Sequence, residues 1–312
     1  MHLIEKAKED NQTIITEFIL RGFGNLPELQ VLLLLFFLVI YIVTMSGNIL
    51  IIALVISDQH LHSPMYYFLV NLSCLETCYI STIRPRLLTC LLTGDRTISV
   101  SGCFAQFYCF GSLATTECYL LAVMSYDRYV AICKPLHYAA LMNGRWCLQL
   151  AVGSWISGFL ICVIMICLMS QLTFCGLSEI DHFFCEFSPM LKLSFSDTSM
   201  IALVSVILTS LDLPCPFQLT VTSYVCIIAT ILRIPSTTGR QKAFSTCSSH
   251  LIVVTVFYGT LMTVCLLPKT NTLKALNKVF SVFYTVLTPM LSPLIYSLRN
   301  KEVKEALRKV IR

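Results

Sequence analysis

Three kinds of chemically capable residue stand out in an otherwise apolar chain. One is a charge pair, Asp127-Arg128, followed by Tyr129 where a long apolar run ends in MSYDRYVAICKPLHY. Another is a set of carboxylates, Glu76, Glu117 and Asp212, each embedded among apolar residues. The third is sulfur, with 16 cysteines scattered mostly inside apolar runs. Arginine does not lose its proton, so Arg128 at a helix end needs a counter-charge or water, and Asp127 lies next to it. A buried acid is costly and marks an ion path, a proton relay or a ligand contact. The cysteines show neither zinc-site spacing nor the pattern of a small disulfide-stapled fold; most read as small apolar packing residues. The sequence offers no nucleophile-base set and no metal-ligating cluster of cysteine and histidine, so the chain is not expected to be an enzyme.

Composition names the scaffold that must hold these groups. With 312 residues, 56% of them hydrophobic and 12% charged, and a mean hydropathy of +0.77, there is too little polar surface to cover a water-facing globule. Membrane lipid is therefore an expected partner, and nucleic acid is not. A helix crosses the bilayer with roughly 20 mostly apolar residues. Stretches 31–56, 65–88, 100–133, 148–169, 200–232, 244–267 and 279–298 meet that need. A β-barrel would show short alternating segments instead, and none appear. The expected fold is an all-α membrane protein, a seven-transmembrane helix bundle. Glu76 then lies in the second helix, Glu117 in the third and Asp212 in the fifth, with Asp127-Arg128 at the inner end of the third.

Past the seventh helix, Val303, Leu307, Val310 and Ile311 recur at i, i+4, i+7 and i+8. That spacing predicts a short amphipathic eighth helix along the inner leaflet, a frayed basic tail being the alternative. The chain divides into an extracellular segment 1–30, a bundle 31–298 and a cytoplasmic helix or tail 299–312. With the amino terminus outside, Lys and Arg outnumber acids on the inner side, and the outer side balances, Arg84 and Arg86 being counted among its cations. Asn11-Gln12-Thr13 is a glycosylation sequon in the segment before the first helix and favours the same orientation. No basic start followed by an immediate apolar core is present, so no cleavable signal peptide is expected, the first helix serving as an uncleaved signal.

MSYDRYVAIC resembles the signature of odorant receptors within the rhodopsin-like G-protein-coupled receptor family. Further matches follow in order: Gly47-Asn48, LHSPMYYFL from Leu61, KPLHY from Lys134, Ser223-Tyr224, KAFSTCSSHL from Lys242, FYG from Phe257 and PMLSPLIYSLRNKEV from Pro289. The long second outer loop and the tetrapod-type motifs are similar to those of the class II branch. The resemblance implies a plasma-membrane receptor that binds small, mostly hydrophobic volatile molecules. It also implies activation of a stimulatory, olfactory-type G protein that raises cyclic AMP. Asp127, Arg128, Tyr129, Tyr224, Lys242 and Tyr296 are thereby assigned to coupling and activation, with Asp127 restraining Arg128 at rest. A plain interfacial ion pair snorkelling to the headgroups is the alternative.

The resemblance also implies a disulfide between Cys103 and Cys185. Cys175 matches another loop cysteine whose usual partner position is Phe195 here, so a second bridge is expected to be missing. Glu76 and Glu117 match a cation site, with sodium as the ion, or else form a protonated, hydrogen-bonded pair. Two departures touch the same polar core: Glu76 where Asp is commoner, and Ser292 where Asn is usual.

A ligand pocket between helices should be mostly apolar with a few placed polar groups. Small residues Gly111, Ala114, Thr115 and Cys118 recur at i, i+3, i+4 and i+7 on the third helix, and Tyr258, Leu261, Met262 and Cys265 repeat the spacing on the sixth. These faces match the odorant pocket of the family, with Phe110, Leu208, Asp212 and Thr285 closing it. Asp212 either accepts a hydrogen bond from the ligand, pairs with an amine, or is protonated and bonded to backbone freed by Pro214 and Pro216. A same-fold receptor for a non-volatile metabolite outside the olfactory epithelium is the nearest competing function. An ion transporter or channel through the buried acids is a more distant one, and it leaves the Asp127-Arg128-Tyr129 cluster without a role.

Overall fold

The burial pattern of the first long helix, Pro27–Ser57 (α1), is inverted relative to a protein in water: Val31, Leu32, Phe36 and Val39 are exposed, and Phe37 and Ile40 are buried. An apolar outer face of this extent belongs against lipid. The computed structural model describes residues 16–22, 27–174, 179–266, 274–299 and 301–311. After α1 come α2 (Pro64–Thr93), α3 (Val100–Cys133), α4 (Gly144–Met169) and α5 (Ser199–Arg233). They are followed by α6 (Thr237–Leu266), α7 (Lys274–Val282, Phe283–Leu287 and Thr288–Arg299 in succession) and α8 (Lys301–Ile311).

Segments within α1, α3, α4, α5, α6 and α7 are long and apolar enough to cross a membrane. The 30-residue α2 packs against α1 and α3. It carries Glu76, Arg84 and Arg86, and at ~1.5 Å per residue it outspans the ~30 Å hydrocarbon layer. The observed helices overrun several expected stretches. α6 starts at Thr237 rather than 244 and α7 at Lys274 rather than 279, because apolarity marks the part in lipid and not the polar turns that continue into water.

Local chemistry sets the ends. Ser63 and Pro64 open α2, since proline fits the first helical turn, where its missing N–H is not needed. Gly94 closes it in the left-handed region at φ 77°. The Ser99 side chain accepts from the Gly102 N–H at the start of α3, and Asn143 accepts from the Trp146 N–H at the start of α4. Within α5 the run Ser199–Asp212 stops at Leu213 and resumes at Pro214. Proline has no N–H to continue the ladder, which places the break beside Asp212.

α3 is the hub of the bundle, packing against α2, α4 and α5. Gly158 of α4 permits one of these approaches: a Cβ there would lie 2.6 Å from the Ser112 carbonyl oxygen and also strike Thr116. Arg84 was expected on the outer side but is fully buried. Its guanidinium donates to the carbonyls of Phe37 on α1 (3.3 Å) and Val286 on α7 (2.9 Å), which ties three helices together and satisfies a charge that would otherwise seek water.

The all-helical expectation needs one addition. Glu17–Leu20 (β1) pairs antiparallel with Thr97–Ser99 (β2) and parallel with Glu179–Ile180 (β3), in the order β2-β1-β3. β1 alternates exposed and buried residues, hiding Phe18 and Leu20, and joins the amino-terminal segment to two loops. Three short strands of 4, 3 and 2 residues acquire partners only in the folded molecule, so no single one announces itself in sequence. At the other end, α8 buries Val303 and Ala306, packs Leu307 on the core, exposes Lys304, Arg308 and Lys309, and so has the expected amphipathic form.

Candidate functional site

α3 threads three polar layers. At its inner end the Arg128 guanidinium donates to Asp127 Oδ2 through Nε (3.0 Å) and an Nη (2.5 Å). Tyr138, in the short helical turn Tyr138–Leu141, donates to Asp127 Oδ1 at 2.8 Å. Asp127 is fully buried and Arg128 nearly so. This is a complete pairing, in which every carboxylate oxygen is used and the arginine is turned back onto its own helix. Nearby, the Tyr224 hydroxyl lies 2.5 Å from His250 Nδ1. His250 and Tyr296 are both fully buried, and neither His250 Nε2 nor the Tyr296 hydroxyl has a hydrogen-bond partner among the described residues. Tyr129 is partly buried, with the Lys134 ammonium 5.9 Å from its ring centre. The Lys242 side chain lies outside the described residues. His250 was not singled out from sequence, although it stands in the KAFSTCSSHL string; a histidine in an apolar helix was the available signal.

The middle layer is the converse. Glu76 and Glu117 are buried. Among the described residues, both carboxylate oxygens of Glu76, Oε1 of Glu117, Oδ1 of Asn48 and Oγ of Ser292 are without a hydrogen-bond partner of normal geometry. Asn48 and Ser292 face Glu76 from α1 and α7. Two carboxylates beside an amide and a hydroxyl, two groups that can each donate to Glu76 or turn an oxygen inward, offer the oxygen ligands that a hard cation such as sodium takes. No cluster of three or more His, Cys, Asp or Glu side chains suited to a metal is present among the described residues, so amide and hydroxyl oxygens would have to complete the shell.

The outer layer holds a cavity of about 300 Å³, at the low end of the ~300–1,000 Å³ typical of ligand pockets. Of the residues expected to line it, Gly111, Ala114, Thr115, Leu208, Asp212 and Leu261 do so, together with Cys118. Tyr79, Cys162, Thr209, Phe257 and Tyr284 join them and were not foreseen, because α2, α4, α5, α6 and α7 each present one of them to the cavity through packing between helices.

Four expected residues do not line this cavity. Phe110 is buried among Tyr79, Phe184 and Tyr284. Tyr258 is turned to the Cys118 carbonyl at 3.1 Å and packs on Phe217. Thr285 donates to the Ser281 carbonyl at 2.6 Å, and Met262 is partly buried elsewhere on α6. The side chain of Cys265 lies outside the described residues. Within the protein, Asp212 is bonded not to backbone freed by proline but to Tyr119, whose hydroxyl donates to its Oδ1 at 2.6 Å across the α3–α5 contact.

Above the cavity, Cys103 and Cys185 form a disulfide with Cα atoms 5.5 Å apart, joining the long outer loop to the start of α3. Phe195 is partly exposed, and its N–H donates to the Thr173 carbonyl at 2.9 Å. A Thr173–Ser196 hydroxyl contact at 2.6 Å reinforces that closure. Asn11 and Cys175 lie outside the described residues.

The olfactory receptor family model matches residues 37–312. Olfactory receptor 10A7 of Homo sapiens is 50% identical over 302 residues, covering 97% of this chain and 96% of its own length. Olfactory receptor 11A1 of Homo sapiens is 49% identical over 308 residues, 99% of this chain and 97% of its own. Olfactory receptor 5AP2 of Mus musculus is 46% identical over 301 residues, 96% of this chain and 95% of its own. With its polar layers strung along α3 of a multi-pass helix bundle and matched from end to end by these relatives, the chain belongs to the olfactory receptor family.

Proposed function

We propose that the chain is an odorant receptor of the plasma membrane, amino terminus outside, in which a small hydrophobic ligand in the α3–α4–α5–α6 cavity biases the Asp127-Arg128 pair at the opposite end of α3. The observation that carries this is that one helix lines the cavity with Gly111, Ala114 and Thr115 and ends in the restrained arginine. A ligand shifts such a bundle only as far as it binds one arrangement better than the other. In the active arrangement, Arg128 leaves Asp127 and turns to the G protein, with Tyr224 and Tyr296 moving toward it. The partner is a stimulatory, olfactory-type G protein, and the output is cyclic AMP.

Glu76 and Glu117, with Asn48 and Ser292, would hold a sodium ion midway between the two sites. The ion supplies the positive charge that their unpaired oxygens lack and so favours the resting packing of α1, α2, α3 and α7.

The test is cyclic AMP in cells that display the chain, screened against a broad panel of small volatile molecules, with Arg128→Ala at matched surface level. A response in the parent chain that the substitution removes is expected. A response of equal size in both would sink the coupling role of Arg128. Release of ions without any G protein would favour the channel instead.

A further inference from the structure

We infer that the cavity selects ligands that donate a hydrogen bond, small primary amines above all and alcohols after them, and that Asp212, held in place by Tyr119, is the group that selects them. The inference rests on the cavity being the ligand site.

Among the described residues, the lining carries one charged side chain, and it is an acid. Among the described residues that surround the cavity, none is Lys, Arg or His. The remaining polar lining is hydroxyl and thiol, including Thr115, Ser205 and Thr209, groups that orient a ligand without neutralising it. Asp212 is half-buried at the break in α5, so its carboxylate is presented by a helix end and not packed away inside a helical face. Tyr119 donates to Oδ1, and Oδ2 makes no hydrogen bond among the described residues. Tyr119 thus fixes the orientation of the carboxylate and leaves one oxygen for an N–H or O–H donor.

Physical chemistry ranks the ligand classes. An ammonium group brings both donors and the opposite charge into a poorly screened site, where a directed ion pair offsets the loss of its hydration. An alcohol brings the donor alone. Ethers and esters bring only acceptors, which would face the carboxylate lone pairs. A carboxylic acid at neutral pH brings a like charge to a place with no cation to hold it. The size of the cavity, with Gly111 and Ala114 leaving room at α3, limits the ligand to a short or monocyclic skeleton.

The experiment uses the full chain in cells, at matched surface display, with cyclic AMP as the readout. Ligands are four series on the same C5 to C8 skeletons: primary amine, alcohol, methyl ether and carboxylic acid. The variants are Asp212→Asn, Tyr119→Phe and a cavity plug, Ala114→Phe. The expected order of potency is amine, then alcohol, then ether, with the acids inactive. Asp212→Asn should weaken the amines by about 30-fold or more while altering alcohols far less, and Tyr119→Phe should weaken amines by a smaller factor.

An amine series that stays silent, or acids that prove the better agonists, overturns the inference. So does an equal loss across all ligand series in Asp212→Asn, which is the signature of a helix-packing role. If agonists of another class are blocked by Ala114→Phe yet indifferent to Asp212→Asn, the cavity stands as the ligand site and the ligand class falls. If active amines are indifferent to the plug as well, the cavity itself is not the ligand site.

Discussion

The inner and middle layers of α3 treat buried charge in opposite ways. At the inner end Asp127 and Arg128 are paired with each other and with Tyr138, and both carboxylate oxygens are occupied. Two to three helical turns away, both oxygens of Glu76 and Oε1 of Glu117 make no hydrogen bond of normal geometry among the described residues, although Asn48 and Ser292 stand beside Glu76. A satisfied buried network holds one arrangement of the chain, because breaking it strands a charge. An unsatisfied one holds a place for something that supplies charge or protons. The difference teaches that the inner layer is closed by its own side chains, whereas the middle layer leaves carboxylate oxygens short of partners.

The sharpest way to break this comparison is Arg128→Ala, which should abolish the agonist response at unchanged surface display, measured as cyclic AMP; retained signalling would leave the inner layer a plain structural pair. Next in size is Ala114→Phe, expected to remove responses by filling the cavity, with the basal signal intact. For the middle layer, the unfolding temperature of purified receptor should rise with sodium chloride over choline chloride. At sodium ~10 times its dissociation constant the gain is about 1.4 kcal/mol, a few degrees, and Glu76→Gln with Glu117→Gln should erase it. Equal salt response in both chains would show that the orphaned oxygens hold protons and no ion.

Tyr138→Phe tests the inner layer more gently. It removes one hydrogen bond to a buried carboxylate, worth about 1.5–3 kcal/mol, and should raise the basal cyclic AMP several-fold.

The smallest effect is expected at the surface. Lys309 of α8 lies 3.0 Å from Asp58, and its ammonium, with the His60 N–H, holds that carboxyl below the usual carboxylate range. A depressed carboxylate pKa contributes above the unfolded value and is lost as pH falls through the folded one. Lys309 is solvent-facing and Asp58 partly covered, so Lys309→Ala should change stability at neutral pH only slightly, with any difference gone in strong acid, as read by thermal unfolding from pH 7 downward.

Much of this molecule is legible from its letters. The 100–133 stretch coincides with α3, and the alternation of Val303 and Leu307 with Lys and Arg gave α8, because lipid burial and amphipathic periodicity are properties of contiguous sequence. The small-residue face Gly111, Ala114 and Thr115 was legible for the same reason. Tyr258 was misplaced from the cavity because its hydroxyl finds the Cys118 carbonyl on another helix, a choice between two partners that spacing along α6 does not contain. Arg84 was counted among the outer cations and its burial was not foreseen, because its carbonyl partners, Phe37 and Val286, are 47 and 202 residues away.

By itself, then, the sequence determined the solvent, the helices and the residues able to carry charge in the core, since hydropathy and side-chain chemistry are local. Only the tertiary structure decided which of those charges are satisfied: Asp127 by Arg128 and Tyr138 and Asp212 by Tyr119, whereas both oxygens of Glu76 and Oε1 of Glu117 lack a hydrogen bond of normal geometry among the described residues. The strand pairing of Glu17–Leu20 was likewise decided there. Each of these depends on groups brought together from distant positions, and burial removes the water that would otherwise make the pairing immaterial.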